Sequence, residues 1–167
     1  KWIVELNDMG IHTVMISGDT QNTVQAIAKD VGIIDFYAEV HPEQKAEIVK
    51  KYQQEGKVVA FVGDGINDAP ALAQSDLWIA IGNWTDVAIE TAEIVLVQGN
   101  PYKVVEAIKL SRKAYKVIKQ NLFWAFAYNA ILVPIAWFGL LLPMFASLAM
   151  SLSSVSVVLN SLRLKRV

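Results

Sequence analysis

Val58-Val-Ala-Phe-Val62 runs straight into Gly63-Asp-Gly-Ile-Asn-Asp-Ala-Pro70, so an apolar run suited to a buried strand ends in a turn dense with glycine and carboxylate. Asp64 sits just past the strand. In parallel α/β sheets the loops beyond the carboxyl ends of the strands are where ligands bind. Gly63 and Gly65 permit tight turns, while Asp64, Asn67 and Asp68 bring polar groups into a small volume. Close carboxylates repel one another unless a cation or proton intervenes. Magnesium, a hard ion that prefers oxygen ligands, suits such a turn. A lone Asp-Gly would read as an ordinary turn; the full string argues for a site.

The same strand-then-turn grammar extends outward on both sides. Upstream, Thr13-Val-Met-Ile16 ends in Ser17-Gly18-Asp19, and Val24, Ile27, Ala28 and Val31 follow at helical spacing. A hydroxyl and free backbone N–H groups before a helix suit a phosphoryl group, although Ser-Gly-Asp is also a common turn and helix cap. A helix is expected from Pro42, suited to a first turn, to Gly56, a natural terminator. Lys45 lies in its first turns, where a cation gains nothing from the helix dipole. A nearby phosphate would account for it, as would simple solvation. Downstream, Leu77-Trp-Ile-Ala-Ile81, a helix around Asp86 to Ala92, and Ile94-Val-Leu-Val97 continue the alternation. The pattern predicts an α/β fold with a mainly parallel sheet over residues 1–101.

Gln98-Gly-Asn-Pro101 breaks that pattern, and residues 102–119 read as a single stalk helix with Val104, Ile108, Tyr115 and Ile118 on one face. Hydrophobic residues make up 54% of the 167, but the excess is concentrated late in the chain. From Gln120 to Leu162 there is no Asp, Glu, Lys, Arg or His. A bilayer core takes about 20 apolar residues per helix, so residues 120–162 fit two membrane spans with a tight turn near Gly139 to Pro143. Arg112, Lys113, Lys116 and Lys119 precede the stretch, and Arg163, Lys165 and Arg166 follow it in a basic tail over 163–167. Basic flanks favour the cytoplasmic side, so both ends are expected there, with membrane lipid as a partner. A net charge of −1 without a basic stripe gives no reason to expect nucleic acid as a partner. The absence of cysteine excludes disulfides and thiolate metal sites within these residues. Residues 1–10 lack the pattern of a cleavable signal peptide.

Polar side chains punctuate both expected spans: Asn121, Tyr128 and Asn129 ahead of Pro134 in the first, and Met150, Ser153 and Ser154 in the second. Polar groups in lipid usually face protein or a transport path. A thioether suits soft monovalent copper, and Tyr or Asn oxygens can complete a shallow site. Packing offers the other reading, since Ser bonds its own helix carbonyls and Met fills irregular cores.

Taken together, Gly63-Asp-Gly-Ile-Asn-Asp-Ala-Pro-Ala-Leu72, Ser17-Gly18-Asp19 and Lys45 resemble the haloacid-dehalogenase-like phosphoryl-transfer fold as used by P-type ATPases. The resemblance covers nearly the whole chain, and the strings in the two spans resemble the heavy-metal, copper-exporting branch. It implies Asp64 as a magnesium ligand, with Asp68 beside it, and Asn67 and Asp68 organising the site. Ser17, Gly18 and Lys45 would hold phosphoryl oxygens, with Asp19 in the same turn. Tyr128, Asn129, Met150 and Ser154 would contact transported Cu+. The reaction implied is transfer of the ATP γ-phosphoryl to an aspartate, followed by hydrolysis. In this family the nucleophile lies in an Asp-Lys-Thr-Gly-Thr string, which does not occur in these 167 residues. The chain is therefore expected to be a C-terminal fragment of an integral membrane pump, inactive alone. Its expected partners are an actuator domain, a nucleotide-binding domain, earlier spans and a copper chaperone.

Two positions depart from the family pattern: Trp78 and Trp84 stand where glycine is expected, which predicts overpacking strain unless neighbours adjust. His12 and His41 read as ordinary structural or surface histidines. Two other functions stay open. A pump for another heavy-metal cation is one, although the Lys and Asp of zinc-type relatives are missing from residues 120–162. A non-catalytic, membrane-anchored module is the other.

Overall fold

Strand β1 (Val14–Ile16) pairs in parallel with β2 (Asp35–Tyr37), setting Val14 opposite Asp35 and Ile16 opposite Tyr37. A second parallel sheet runs in the order β3 (Ala60–Gly63), β4 (Leu77–Ile81), β5 (Ile94–Leu96). These elements belong to a computed structural model that describes residues 1–63, 68–81, 92–96, 100–139 and 143–166. One mainly parallel sheet is expected from the sequence. Among the described residues the pairings are all parallel but divide into two sheets, because periodicity reveals strands and not which strands pair. The helix expected around Asp86 to Ala92 falls on residues 82–91, outside the described ones.

Four helices interleave with the strands: α1 (Trp2–Asp8), α2 (Gln21–Val31), α3 (Pro42–Gln54) and α4 (Ala69–Gln74). In α2, Val24 and Ala28 lie one turn apart and are buried, whereas Ile27 keeps 42% of its surface. Gly32 ends α2 with φ of +84°, and its N–H reaches the Ala28 carbonyl at 2.9 Å. α3 starts at Pro42, and the Gln44 side chain accepts from the His41 N–H at 2.9 Å, closing the first turn. It ends two residues short of Gly56, which takes φ of +79° in the turn that follows.

Val49, Phe61, Ala71 and Leu72 form a buried cluster joining α3, β3 and α4, with Ile16, Val59 and Trp78 packed against it. The last residue of β1 therefore shares a core with β3. Asp76 fastens the start of β4 to β3: its carboxylate accepts from the Val59 N–H at 2.8 Å, and its own N–H donates to the Val59 carbonyl at 3.0 Å. Trp78 lies opposite Phe61 in the pairing of β4 with β3. Its ring packs on the Val49 cluster, and its backbone N–H donates to Glu93 Oε2 at 2.8 Å. The indole is thus accommodated in the core, with one cost. Its Nε1 is buried without a hydrogen-bond partner among the described residues. Trp84 lies outside them.

The chain divides into two compact units, Lys1–Val105 and Glu106–Val167. Helix α5 (Tyr102–Trp137) starts in the first and supplies most of the second, followed by α6 (Pro143–Leu162) and a 3-10 turn (Arg163–Arg166). α5 and α6 are antiparallel partners joined by amides. Asn121 Nδ2 donates to Ser161 Oγ at 3.0 Å, and Asn160 Nδ2 donates to Asn121 Oδ1 at 2.9 Å. Gly139, at φ of +68°, closes α5 with its N–H on the Ala136 carbonyl at 3.0 Å. Among the described residues no helix is long and apolar enough to cross a membrane. Gln120, Asn121, Tyr128 and Asn129 dilute the apolar half of α5.

Candidate functional site

Two loops leave the carboxyl ends of β1 and β2, and Gly63 closes the carboxyl end of β3, the end of a parallel sheet at which ligands bind. Hydrogen bonds tie the two loops together. The Ser17 N–H donates to the Tyr37 carbonyl at 3.0 Å, the Val40 N–H to the Ser17 carbonyl at 3.1 Å, and the Glu39 N–H to the Asp19 carbonyl at 2.8 Å. Glu39 takes φ of +56°, a conformation that costs a non-glycine residue and is held here by that crossing bond. Gly18 lies close under this crossing, since a Cβ there would stand 3.5 Å from the Val40 carbonyl oxygen. Within the β1 turn, the Ser17 hydroxyl donates to Asp19 Oδ2 at 2.8 Å and accepts from the Asp19 N–H at 3.2 Å. Ser17, Gly18 and Asp19 thus form a preset turn with Asp19 orienting the Ser17 hydroxyl.

After β3 the described residues end at Gly63 and resume at Asp68. Asp64 and Asn67 lie outside the described residues. Asp68 precedes α4 and its carbonyl accepts from the Leu72 N–H at 2.9 Å, but its carboxylate turns elsewhere. Lys45 Nζ donates to Asp68 Oδ1 at 2.5 Å, and both side chains are 13% exposed. Asp68 Oδ2 lies against Gly63, where an added Cβ would meet it at 2.8 Å and Phe61 Cε1 at 3.1 Å. Only glycine at this position leaves the carboxylate its place. The cation in the first turn of α3 therefore has a carboxylate partner, which offsets its unfavourable position on the helix dipole. An ammonium carries three donors, so this bond leaves Lys45 others to offer a ligand.

Among the described residues no group of three or more His, Asp or Glu side chains converges as a metal site. The carboxylate set anticipated for magnesium, Asp64 with Asp68, is described only at Asp68. The two histidines have structural places: His12 Nε2 pairs with Asp35 Oδ2 at 2.9 Å, and His41 precedes α3. The Tyr52 hydroxyl of α3 is pushed far above its usual range, first by burial and then by its hydrogen bond with Tyr37. It has no part in the loops. Sequence reasoning missed the β2 loop: nothing in Glu39-Val40 marks it as the clamp on Ser17, because a positive φ at Glu leaves no compositional trace.

Comparison with known proteins agrees with the α/β fold. Residues 1–76 match the family model of haloacid dehalogenase-like hydrolases. A copper-exporting P-type ATPase of Bacillus subtilis (strain 168) is 52% identical over all of this chain, and one of Staphylococcus aureus (strain JH9) is 54% identical over 98% of it. The chain belongs to the heavy-metal-transporting P-type ATPases. It spans about a fifth of these curated relatives, 21% and 20% of their lengths. The crystal structure of a zinc-transporting PIB-type ATPase in its E2.Pi state superposes with a TM-score of 0.88 at 37% identity, over 98% of this chain and 27% of that one. Residues 1–76 of the first unit thus carry a haloacid-dehalogenase-like α/β fold.

The other candidate residues of this P-type ATPase chain lie in the second unit. Asn129 Nδ2 donates to the Ala125 carbonyl at 3.0 Å, and the Ser154 hydroxyl to the Met150 carbonyl at 3.1 Å, so both bond their own helices. Oxygen lone pairs on both, and the Met150 thioether, remain as acceptors. Met150 is 70% exposed. The pairing of Asn121 with Asn160 and Ser161 joins the two helices antiparallel at the start of the uncharged run.

Proposed function

We propose that this chain supplies the phosphate-contacting site and part of the ion path of an ATP-driven, copper(I)-exporting P-type ATPase. The observation that carries the reading is the near-buried Lys45–Asp68 pair seated against Gly63, at the carboxyl end of β3. A charge pair taken out of water is costly to keep for stability alone, whereas fixed charge beside a transferring phosphoryl group supplies much of such catalysis.

Within this site Lys45 offers its remaining ammonium protons to phosphoryl oxygens, and Asp68 holds that ammonium in place. Ser17, aimed by Asp19, donates a hydroxyl, and the Gly18 backbone permits close approach. Asp64 and Asp68 are hard oxygen donors of the kind magnesium takes, and Asn67 orders the turn between them. Magnesium, when bound, would neutralise phosphate charge. The nucleophilic aspartate comes from outside these residues, since Asp-Lys-Thr-Gly-Thr does not occur in them. ATP likewise needs the nucleotide-binding and actuator domains of the complete pump.

Helices α5 and α6 read as a membrane hairpin in the cell membrane, with the α/β unit and the basic tail cytoplasmic. Support comes from the sequence, in which the uncharged run 120–162 is long enough for two spans and basic residues flank it on both sides. Large apolar side chains such as Phe126, Ile131, Val133, Leu148, Leu152 and Val158 face outward. Asn129, Ser147, Ser151 and Ser154 satisfy themselves on their own helices, as lipid requires. Copper is the proposed cargo because the relatives at 52–54% identity are copper exporters and Met150 offers a soft ligand. A copper chaperone is the matching donor. Zinc is the second reading, favoured by the superposition on a zinc pump and opposed by the lack of Lys and Asp in 120–162.

The test is phosphorylation from γ-labelled ATP, with and without Cu+, of the complete pump and of the 167-residue chain alone. Copper-dependent, acid-stable label in the pump and none in the chain is expected. Stoichiometric labelling of the chain by itself, or a pump indifferent to copper, would refute the assignment.

A further inference from the structure

Along α5, Arg112, Tyr115, Lys116, Lys119, Phe123 and Trp124 recur at spacings of three and four, and so share one face. They line a shallow groove of about 420 Å³ together with Gln120. Its chemistry changes along its length. Lys116 and Lys119 stand at one end, where Lys119 Nζ lies 5.2 Å from the centre of the Tyr115 ring. Phe123 and Trp124 meet edge to face at 5.6 Å at the other, keeping 64% and 53% of their surfaces exposed. From Ala107 onward the sequence contains no Asp or Glu, so no carboxylate side chain lies within two turns of Lys116 or Lys119 along α5.

We propose that this face seats an anionic glycerophospholipid, with the headgroup phosphate at Lys116 and Lys119 and the acyl chains along Phe123 and Trp124. The inference rests on the membrane-hairpin reading above, which sets the groove at the cytoplasmic boundary of the bilayer. Seven residues of helix separate Lys116 from Phe123, about 10 Å, which is the depth from phosphate level to the acyl boundary. Aromatic residues favour that boundary, and basic residues beside it attract acidic headgroups. A lipid supplies both the missing negative charge and the apolar cover. A free phosphate supplies only the first.

The experiment uses the 167-residue chain. Flotation with phosphatidylcholine vesicles comes first: a chain that does not insert sinks the hairpin reading and the lipid site with it. For the inserted chain, spin-labelled phosphatidylglycerol and phosphatidylcholine report which lipid is held at the protein surface. The parent is expected to prefer phosphatidylglycerol, and Lys116→Gln with Lys119→Gln to lose about fivefold of that preference per lysine, while still floating. Trp124→Leu should weaken retention of both lipids. Equal retention of the two lipids by the parent, or an unchanged preference in the lysine variant, overturns the site while leaving the hairpin intact. Full displacement by millimolar inorganic phosphate would assign the groove to a free anion and equally overturn it.

Discussion

Lys45 Nζ lies 2.5 Å from Asp68 Oδ1, joining the first turn of α3 to the residue that opens α4, with both side chains 13% exposed. The pair bridges two elements that also share the Val49, Ala71 and Leu72 core. Lys45→Met should therefore act in two separable ways. It strands a near-buried carboxylate, destabilising the α/β unit by about 3 kcal/mol. It also removes the charge proposed for the phosphoryl group, abolishing phosphoenzyme in the complete pump. Adding Asp68→Leu should restore most of the stability in denaturant unfolding and none of the phosphorylation. Recovery of both would reduce the pair to a structural one.

Gly63→Ala tests the seat of Asp68. The new Cβ would meet Asp68 Oδ2 at 2.8 Å and Phe61 Cε1 at 3.1 Å, and the carboxylate cannot swing away without releasing Lys45. Overpacking of this kind costs about 1–3 kcal/mol. Phosphorylation by the complete pump should fall by at least about tenfold, because a displaced charge no longer aligns with its ligand. A pump within about twofold of its parent would refute the tight fit.

The sequence carried the strand-and-turn grammar of β1 and β3, the start of α3 at Pro42 and the polar turns after the strands, because periodicity and Gly or Pro are local signals. It did not carry β2, whose Asp35-Phe36-Tyr37 is too short to show alternation. Nor did it carry α1 or α4, short helices held by burial of Ile3 and Leu6 in one and Ala71 and Leu72 in the other. Site residues were nameable from the turns, but their partners were not. Lys45 and Asp68 stand 23 positions apart, and only the packing of α3 on α4 brings them together.

Asp76 should give the α/β unit part of its acid sensitivity. Its carboxyl is held below the usual carboxylate range, first by the Val59 N–H and then by the Gln53 side chain. A depressed folded-state pKa adds stability that is fully present above the unfolded value, about 3.9, and is lost as pH falls through the folded value. Urea midpoints of the parent should fall below about pH 4, and Asp76→Asn should flatten that limb while lowering the neutral-pH midpoint. Parallel pH profiles for the two would show that the Val59 bond carries no charge-dependent stability.

The antiparallel register of α5 and α6 rests on Asn121, Asn160 and Ser161. Interhelical hydrogen bonds in bilayers contribute about 0.6–2 kcal/mol. Asn160→Leu keeps bulk, adds apolar surface and removes the donor to Asn121. In vesicles it should insert as well as the parent while loosening the pair, read as a longer distance between spin labels placed at residues 124 and 157. Unchanged label distances would assign the register to packing alone.

Met150 and Ser154 are four residues apart on α6, hence on one face, and a straight continuation of the Asn121 pairing would bring Tyr128 and Asn129 of α5 to the level of residues 152–154. In the structure the Ser154 hydroxyl donates to the Met150 carbonyl and one N–H of the Asn129 amide donates to the Ala125 carbonyl, each within its own helix. A soft cation asks for something those bonds leave untouched, the thioether of Met150 and oxygen lone pairs. Met150→Leu keeps apolar volume and removes the sulfur, so folding should hold within about 1.5 kcal/mol while copper stimulation of the complete pump weakens. Asn129→Leu should weaken it as well, by loss of an oxygen rather than of packing. Metal-dependent phosphorylation measured over Cu+, Ag+ and Zn2+ separates the readings. Loss of the Cu+ and Ag+ responses together, in both variants, is expected from a soft site. A normal copper response in both variants, or zinc as the preferred activator of the parent, would return these residues to helix packing and the cargo to zinc.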